Sequence, residues 1–365
     1  MKKVLYSNEK ELFWNILLSP LFLLSLIYLR LLHLRLFLYR RGIFFKTKEL
    51  RSKVLSVGNL TLGGTGKTPI VIYLAEQLHN KGKRVGIISR GYKGKEKRVV
   101  LISDGKGVLS DPSSAGEEPY LIAARVKDIA VATGSDRFMA GNLIIKEADS
   151  DIIIMDDGFQ HISLNRDIDI LLIDATNPFG NGYLIPRGIL REPLSCIKRA
   201  SAIMITRMDS INNERVLKSI IRDIKRYNKS APIFKIWFRP AKLINLVTNK
   251  ERGIELLKGK SIIAVSGIGN PEAFISGLVK SGVSQVFDMT YPDHYIYKRV
   301  DINDIKEVAG RQSVDLIITT EKDAVKIKEL LSPDIDNFFA LRIDIDRIED
   351  NKAWEGYLSY IICSS

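Results

Sequence analysis

Short, continuously apolar runs separated by longer amphipathic stretches set the pattern of this chain. Runs at 53–57, 84–89, 129–132, 151–155, 169–173 and 202–206 read as strands. Between them 70–78, 119–125 and a segment from Asp136, a natural cap, to residue 147 read as helices. A Gly-, Ser- and Lys-rich stretch reaching Glu118 holds one more short strand near 98–103. Strands that are apolar throughout and alternate with helices predict a parallel sheet covered on both faces.

Near Ile233 the pattern changes. Two short extended runs, 234–238 and 243–247, flank Arg239-Pro240 and predict a connector or hinge. A second α/β unit follows: a strand at 262–266, the turn Gly267-Ile268-Gly269-Asn270-Pro271, a helix, and strands at 283–287 and 316–319. Gly267 and Gly269 lack the third glycine of a dinucleotide fingerprint, so the turn reads as a plain strand-to-helix connection. An extended run at 340–343 and a helix through Tyr360 are expected to return to the first unit. The division expected is 1–45, a membrane-associated helix with its basic flank; 46–233, the larger α/β domain; 234–248, a β-ribbon connector; 249–339, a smaller α/β domain; and 340–365, the return.

The N-terminal segment breaks this alternation. Residues 13–29 hold no charge, and apolar character continues to Leu38, interrupted by Arg30, His33 and Arg35. Arg40, Arg41, Lys46 and Lys48 follow, and no small-residue cleavage site does, which argues against a signal peptide. A spanning helix needs about 20 apolar residues, so the run is marginal, with Pro20 inside it. The favoured expectation is a helix lying in the membrane interface, ahead of a span and of a soluble core helix. Charge agrees: residues 1–53 carry eleven Lys and Arg against three Glu, a net +8 of the chain's +13. That asymmetry predicts an anionic membrane surface as partner, and no aromatic-interleaved basic motif points to nucleic acid. No obligate protein partner is implied. Cys196 and Cys363 form no metal or disulfide pattern, as suits a reducing compartment.

Candidate chemistry begins at Ser56-Val57-Gly58-Asn59-Leu60-Thr61-Leu62-Gly63-Gly64-Thr65-Gly66-Lys67-Thr68-Pro69, between the first strand and its helix. Strand, glycine-rich turn, Lys-Thr and helix form a phosphate-binding loop, in which converging backbone amides cradle phosphate oxygens. Thr61 through Thr68 are the candidate nucleotide contacts, with Lys67 charging the β/γ-phosphates and Thr68 offering a hydroxyl to Mg²⁺. Thr61 stands where the strict pattern has its first glycine. Asp156-Asp157-Gly158-Phe159-Gln160-His161 ends an apolar strand, where a carboxylate belongs if it is to hold Mg²⁺ opposite Thr68. His161 reads either as a member of that cluster or as a structural histidine.

Three further motifs keep two readings each. Gly116-Glu117-Glu118-Pro119 is a pair of site carboxylates or acids favoured at a helix N-terminus. Tyr291-Pro292-Asp293-His294-Tyr295 is a site loop or a capped turn. Arg187 and Arg191, in Pro186-Arg187-Gly188-Ile189-Leu190-Arg191-Glu192-Pro193, suit a phosphate or a plain surface.

In their order along the chain these segments resemble the tetraacyldisaccharide 4′-kinases of lipid A biosynthesis. The likeness rests on the loop from Val57 to Pro69, Ser89-Arg90-Gly91-Tyr92, Asp156 through His161, the Pro186 to Pro193 run, Pro292-Asp293-His294 and Thr320-Glu321-Lys322-Asp323. It implies two α/β domains joined by a β-ribbon, the first P-loop NTPase-like, with the site in the cleft between them. It implies phosphoryl transfer from ATP, with Mg²⁺, to the 4′-hydroxyl of an acylated glucosamine disaccharide 1-phosphate at the cytoplasmic face of the bacterial inner membrane. The family tolerates a non-glycine at the position of Thr61. Its catalytic pair is an aspartate, in a Gly-Asp-Glu-Pro context, assisted by the second domain's histidine; here Glu117 takes the aspartate's place and His294 is the histidine. Lys67 and Asp157 complete the catalytic expectation, with Thr68 and Asp156 on the metal. The competing expectation is a membrane-recruited P-loop ATPase switch, which needs no acceptor site.

Overall fold

The computed structural model describes residues 19–42, 46–91, 99–211, 213–333 and 335–363, the Arg40 side chain excepted. The start of the apolar run before Ser19, Tyr92 and Arg98 lie outside the described residues. The first described element is helix α1, Ser19–Arg41.

The larger lobe is a doubly covered sheet. Strand β1 (Lys53–Asn59) leads into α2 (Lys67–Asn80), and β2 (Val85–Ser89) and β3 (Val100–Asp104) follow. Next come α3 (Glu117–Arg125), β4 (Ala130–Thr133), α4 (Arg137–Ala148), β5 (Ile152–Asp156), β6 (Ile168–Asp174), β7 (Ala202–Thr206) and α5 (Glu214–Tyr227). β2, β4, β5, β6 and β7 are buried at every position, which is why their sequences run apolar without alternation. The order across this part is β7-β6-β1-β5-β2-β4-β3, parallel except for β3, which turns antiparallel to β4 at the edge. Asp136 caps α4 by accepting from the Phe138 and Met139 amides.

A single long strand carries the sheet onward. β8 (Ile233–Asn245) pairs with β7 at its start and, over most of its length, with β13 (Phe338–Ile348). The two short runs around Arg239-Pro240 are thus one strand. Pro240 has no amide to donate, and the ladder slips beside its partner, between Arg342 and Ile343. β9 (Glu251–Gly253) pairs on β8; β10 (Ser261–Ser266), α6 (Pro271–Lys280), β11 (Gln285–Thr290), α7 (Arg299–Arg311), β12 (Leu316–Thr320) and α8 (Glu321–Ile327) build the smaller lobe. Its strands continue one sheet in the order β11-β10-β12-β13-β8.

The final helix α9 (Asn351–Cys363) packs Trp354, Leu358 and Ile361, each fully buried, into the larger lobe's core with Leu55, Leu74 and Ile236. The lobes are also joined by charge: the Arg125 guanidinium on α3 donates to Glu321 on α8 and to Asp344 on β13. Such a buried network costs desolvation but fixes one arrangement, because either partner alone would be a buried unpaired charge.

Helix α1 is long and apolar enough to cross a membrane by length and composition over Ser19–Tyr39. Phe22, Leu23, Leu26, Ile27, Leu31, Leu34 and Phe37 stay exposed on it. The docked strip is narrow: Ser25 is buried and donates to the Leu184 carbonyl, Tyr28 donates to the Arg191 carbonyl, and Leu29 packs on the core beneath β6 and β7.

Candidate active site

One cleft of about 1400 Å³ runs between the lobes and reaches the strip of α1 bearing Tyr28, Leu32 and Arg35. Residues 62–69 form one side of it. The loop is held from below, since the Leu62 amide donates to the Ile189 carbonyl at 2.7 Å and the Arg191 amide to the Leu60 carbonyl at 2.7 Å. The Thr206 hydroxyl holds the Thr65 carbonyl and Arg207 holds the Gly64 carbonyl, turning those carbonyls away from the phosphate side. Gly66 starts α2 with φ +81°, and a Cβ there would meet the Phe238 ring at 2.8 Å, so only glycine fits. Thr61 is buried in a bridge to Leu190, with Asn59 bonded to its carbonyl, and does not line the cleft. That explains why a glycine is dispensable there.

Lys67 reaches back over the loop to Asn59 Oδ1 at 3.3 Å and Asp157 Oδ1 at 3.5 Å. Asp157 in turn takes both oxygens to Arg191, at 3.0 and 2.9 Å. Burial would raise the Asp157 carboxyl, but Lys67 and Arg191 overcome it and hold it at about 2. Its neighbour behaves in the opposite way. Asp156 is buried, one oxygen accepts from Ser89, and the other has no hydrogen-bond partner. Burial, with Glu118 and Asp157 nearby, pushes its carboxyl up to about 7. A carboxylate so short of positive charge, in the cleft with the Thr68 hydroxyl, fits a hard divalent cation that keeps several waters. Among the described residues no group of three or more metal-ligating side chains exists, which suits Mg²⁺ better than zinc.

His161 lines the same cleft and contacts the Ser163 hydroxyl at 2.8 Å. Burial together with Arg137, Arg166 and Arg35 lowers its pKa to about 4, so it is neutral. The arginines of the run from Pro186 part ways. Arg191 faces the cleft, whereas Arg187 is buried with its guanidinium over the Tyr183 ring and lies outside the cleft. The expectation that both meet phosphate is corrected for Arg187, because docking of α1 buries the backbone it belongs to.

The other side of the cleft joins the lobes. Glu117, in the first turn of α3, meets His294 Nδ1 at 3.6 Å, although 177 positions separate the two residues. His294 adopts φ +59° in the turn after β11, where its amide donates to Gly267. Lys322 approaches His294 Nε2 at 3.4 Å. An ammonium only donates, so Nε2 accepts and the ring proton sits on Nδ1, facing Glu117. Burial raises the Glu117 carboxyl, but the His294 contact and the Lys326 and Lys322 charges more than offset this and lower it. Glu118 is likewise lowered, burial being overcome by Lys322 and Lys67, and it pairs with Lys322 at 3.0 Å. Sequence reading did not assign Lys322, Arg35, Arg90 and Arg137 to the cleft, nor Lys326 to the buried space behind Glu117. Three left a signal: Arg90 lies in the Ser89-Arg90-Gly91-Tyr92 motif, and Lys322 and Lys326 stand four apart on one face of a helix that begins in the Thr320-Glu321-Lys322-Asp323 motif.

A loop that binds phosphate by its amides, a strand-end carboxylate and a separate carboxylate–histidine pair define a P-loop phosphotransferase. The comparisons name which one. Residues 14–361 match the family model for tetraacyldisaccharide-1-P 4′-kinase. The tetraacyldisaccharide 4′-kinase of Halothermothrix orenii is 40% identical over 357 residues, covering 93% of this chain and 91% of that protein. That of Syntrophus aciditrophicus is 41% identical over 290 residues, covering 78% and 77%. The solved structure of LpxK from Aquifex aeolicus, in complex with ATP, matches with TM-score 0.74 at 33% identity, covering 94% of this chain and 98% of that one. The chain belongs to the tetraacyldisaccharide 4′-kinase family. It is an ATP-dependent kinase that works with Mg²⁺.

Proposed function

We propose that the chain transfers the γ-phosphoryl group of ATP to the 4′-hydroxyl of a tetraacylated glucosamine disaccharide 1-phosphate, with Glu117 as the base. The observation that supports the acceptor half is the Glu117–His294 pair facing the cleft that also holds the P-loop. The acceptor oxygen forms a bond to the γ-phosphorus as the bridge to the β-phosphate breaks, and the hydroxyl proton passes to Glu117. His294, with Nδ1 facing Glu117, orients that carboxylate. Lys67 and the amides of 63–68 stabilise charge on the β/γ-phosphates. Asp157, kept ionised, positions Lys67 and Arg191 beside them, and neutral His161 lines the floor. Thr68 and Asp156 are the residues that would hold Mg²⁺, which neutralises phosphate charge and orients the leaving group.

The lobes 46–233 and 249–339 close about the ribbon at 234–248, excluding water from the transfer. Helix α1 keeps its exposed apolar face in lipid at the cytoplasmic face of a bacterial inner membrane. Its docked strip ends at the cleft, so acyl chains remain in the bilayer while the sugar enters. Incubation with γ-labelled ATP and a tetraacyldisaccharide 1-phosphate tests this reading. Label in the lipid is expected; label in free phosphate alone would instead mark an ATPase switch.

A further inference from the structure

Behind Glu117 lies a line of buried charge that phosphoryl transfer as described above leaves unused. Lys326 Nζ stands 3.6 Å from Glu117 Oε2 and 2.9 Å from Asp323 Oδ1. All three atoms are buried and make no hydrogen bond, so opposite charge is what they offer one another. Asp323 is fully buried, and its other oxygen accepts from the Gly267 amide at 2.9 Å and the Thr320 hydroxyl at 2.8 Å. Gly267 also accepts from the His294 amide at 3.1 Å. Lys326 further packs over the Tyr297 ring at 5.4 Å, and that ring is fixed edge-on by Tyr291 and Tyr295. One carboxylate therefore anchors both the loop carrying His294 and the lysine facing Glu117.

We infer that Lys326, seated by Asp323, is a positioning residue that fixes the orientation of the Glu117 carboxylate for proton abstraction. The inference rests on Glu117 being the base. Oε2 is engaged from two sides, by His294 and Lys326, which leaves Oε1 for the acceptor hydroxyl. Such pinning matters more for a glutamate than for the aspartate of the family pattern, since the extra methylene adds a rotatable bond. The ion pair is shielded from solvent, with side-chain exposures of 11% for Lys326 and 19% for Glu117, so it is not screened away as a surface pair would be. Around it stand Lys322 and Asp293 from the smaller lobe and Glu118 from α3. Lys322 pairs with Glu118 and leaves Oε2 of Glu117 to Lys326.

Steady-state kinetics of the full chain in mixed micelles, with ATP, Mg²⁺ and tetraacyldisaccharide 1-phosphate, test the inference. Lys326→Met is expected to lower kcat by roughly 10- to 100-fold, a part of what a general base contributes. KM for ATP should hold, and the acid limb of the kcat profile should move to higher pH, because an unpaired Glu117 takes its proton more readily. Lys326→Arg should recover most of the rate. Combined with Glu117→Gln, Lys326→Met should cost nothing further, as residues acting through one group are non-additive. Should Lys326→Met fail to fold, Lys326→Gln places a polar, uncharged side chain beside the two carboxylates and gives the same readout. An unmoved acid limb with unchanged kcat, or a loss confined to KM for ATP, overturns the inference. Full activity of Glu117→Gln would instead overturn the base assignment beneath it.

Discussion

The phosphate-binding loop and the cluster around Glu117 line the same cleft and are made by different means. The loop is contiguous, its ligating groups are backbone amides, and its shape is set by hydrogen bonds to its own carbonyls and by the φ +81° of Gly66. The Glu117 cluster draws side chains from the first turn of α3, the turn after β11 and one face of α8. The loop belongs to the larger lobe alone. The cluster exists only while the lobes are together, held by Arg125, Glu321 and Asp344. A loop of this kind tolerates side-chain change wherever the backbone is unaffected, as Thr61 illustrates. A cluster of this kind is sensitive to every charge in it.

The largest expected effect is on the cross-lobe side. Glu117→Gln should reduce turnover by roughly 10²- to 10⁴-fold while leaving ATP binding intact, and His294→Ala should fall in the same direction. The double variant should lose less than the product of the two. Glu117→Asp should remain active. Product formation by labelled lipid, read beside ATP binding by calorimetry, checks all four, and full turnover by Glu117→Gln would move the base to Glu118 or Asp157.

On the loop side Lys67→Ala should lower phosphoryl transfer by roughly 10²- to 10³-fold, the usual loss for a preorganised charge. Normal turnover in a folded variant would remove Lys67 from the site. A gentler test is Gly66→Ala. It forces a left-handed backbone onto a residue with a Cβ and drives that Cβ against Phe238. About 1–3 kcal/mol of strain should appear in thermal melts, together with a higher KM for ATP. Unchanged melting and KM would mean the loop is less fixed than its hydrogen bonds imply.

The smallest expected effect separates the two aspartates that end β5. Asp156 has its folded pKa raised to about 7, so the folded state holds a proton that the unfolded chain releases near 4. Its contribution to stability is therefore present at low pH and lost as pH rises toward 7. The thermal shift on adding Mg²⁺ with nucleotide should grow over the same window, since a cation replaces the proton. Asp156→Asn should flatten that growth, measured by melting at pH 5, 6 and 7. Asp157, held at about 2 by Lys67 and Arg191, should contribute no change there.

Reading the chain alone reached the α/β fold class, most strand and helix cores and the P-loop, because each depends on neighbours in sequence. All-apolar runs mark doubly covered strands, and a glycine-rich turn before Lys-Thr marks a phosphate cradle. Helices α5 and α7 went unread although each carries an apolar stripe, Ile220 and Ile224 on one and Ile302 and Ile305 on the other, because their charged residues outnumber it. For the cross-lobe side, Glu117 and His294 were reached through family resemblance, their local sequences being equally consistent with a helix-start acid and a capped turn.

What sequence determined by itself is what short-range chemistry fixes: the amide cradle at 62–68, the acidic strand end at Asp156 and Asp157, and an apolar N-terminal helix with a basic flank. Tertiary structure alone decided that β8 is one strand through Pro240, that Arg187 is buried under α1, and that Lys326 faces Glu117. Those outcomes depend on the pairing of β8 with β13 and on the docking of α3 against α8. No local pattern encodes which distant charge will share a buried space, because that choice is made by packing and by the cost of leaving a charge unpaired.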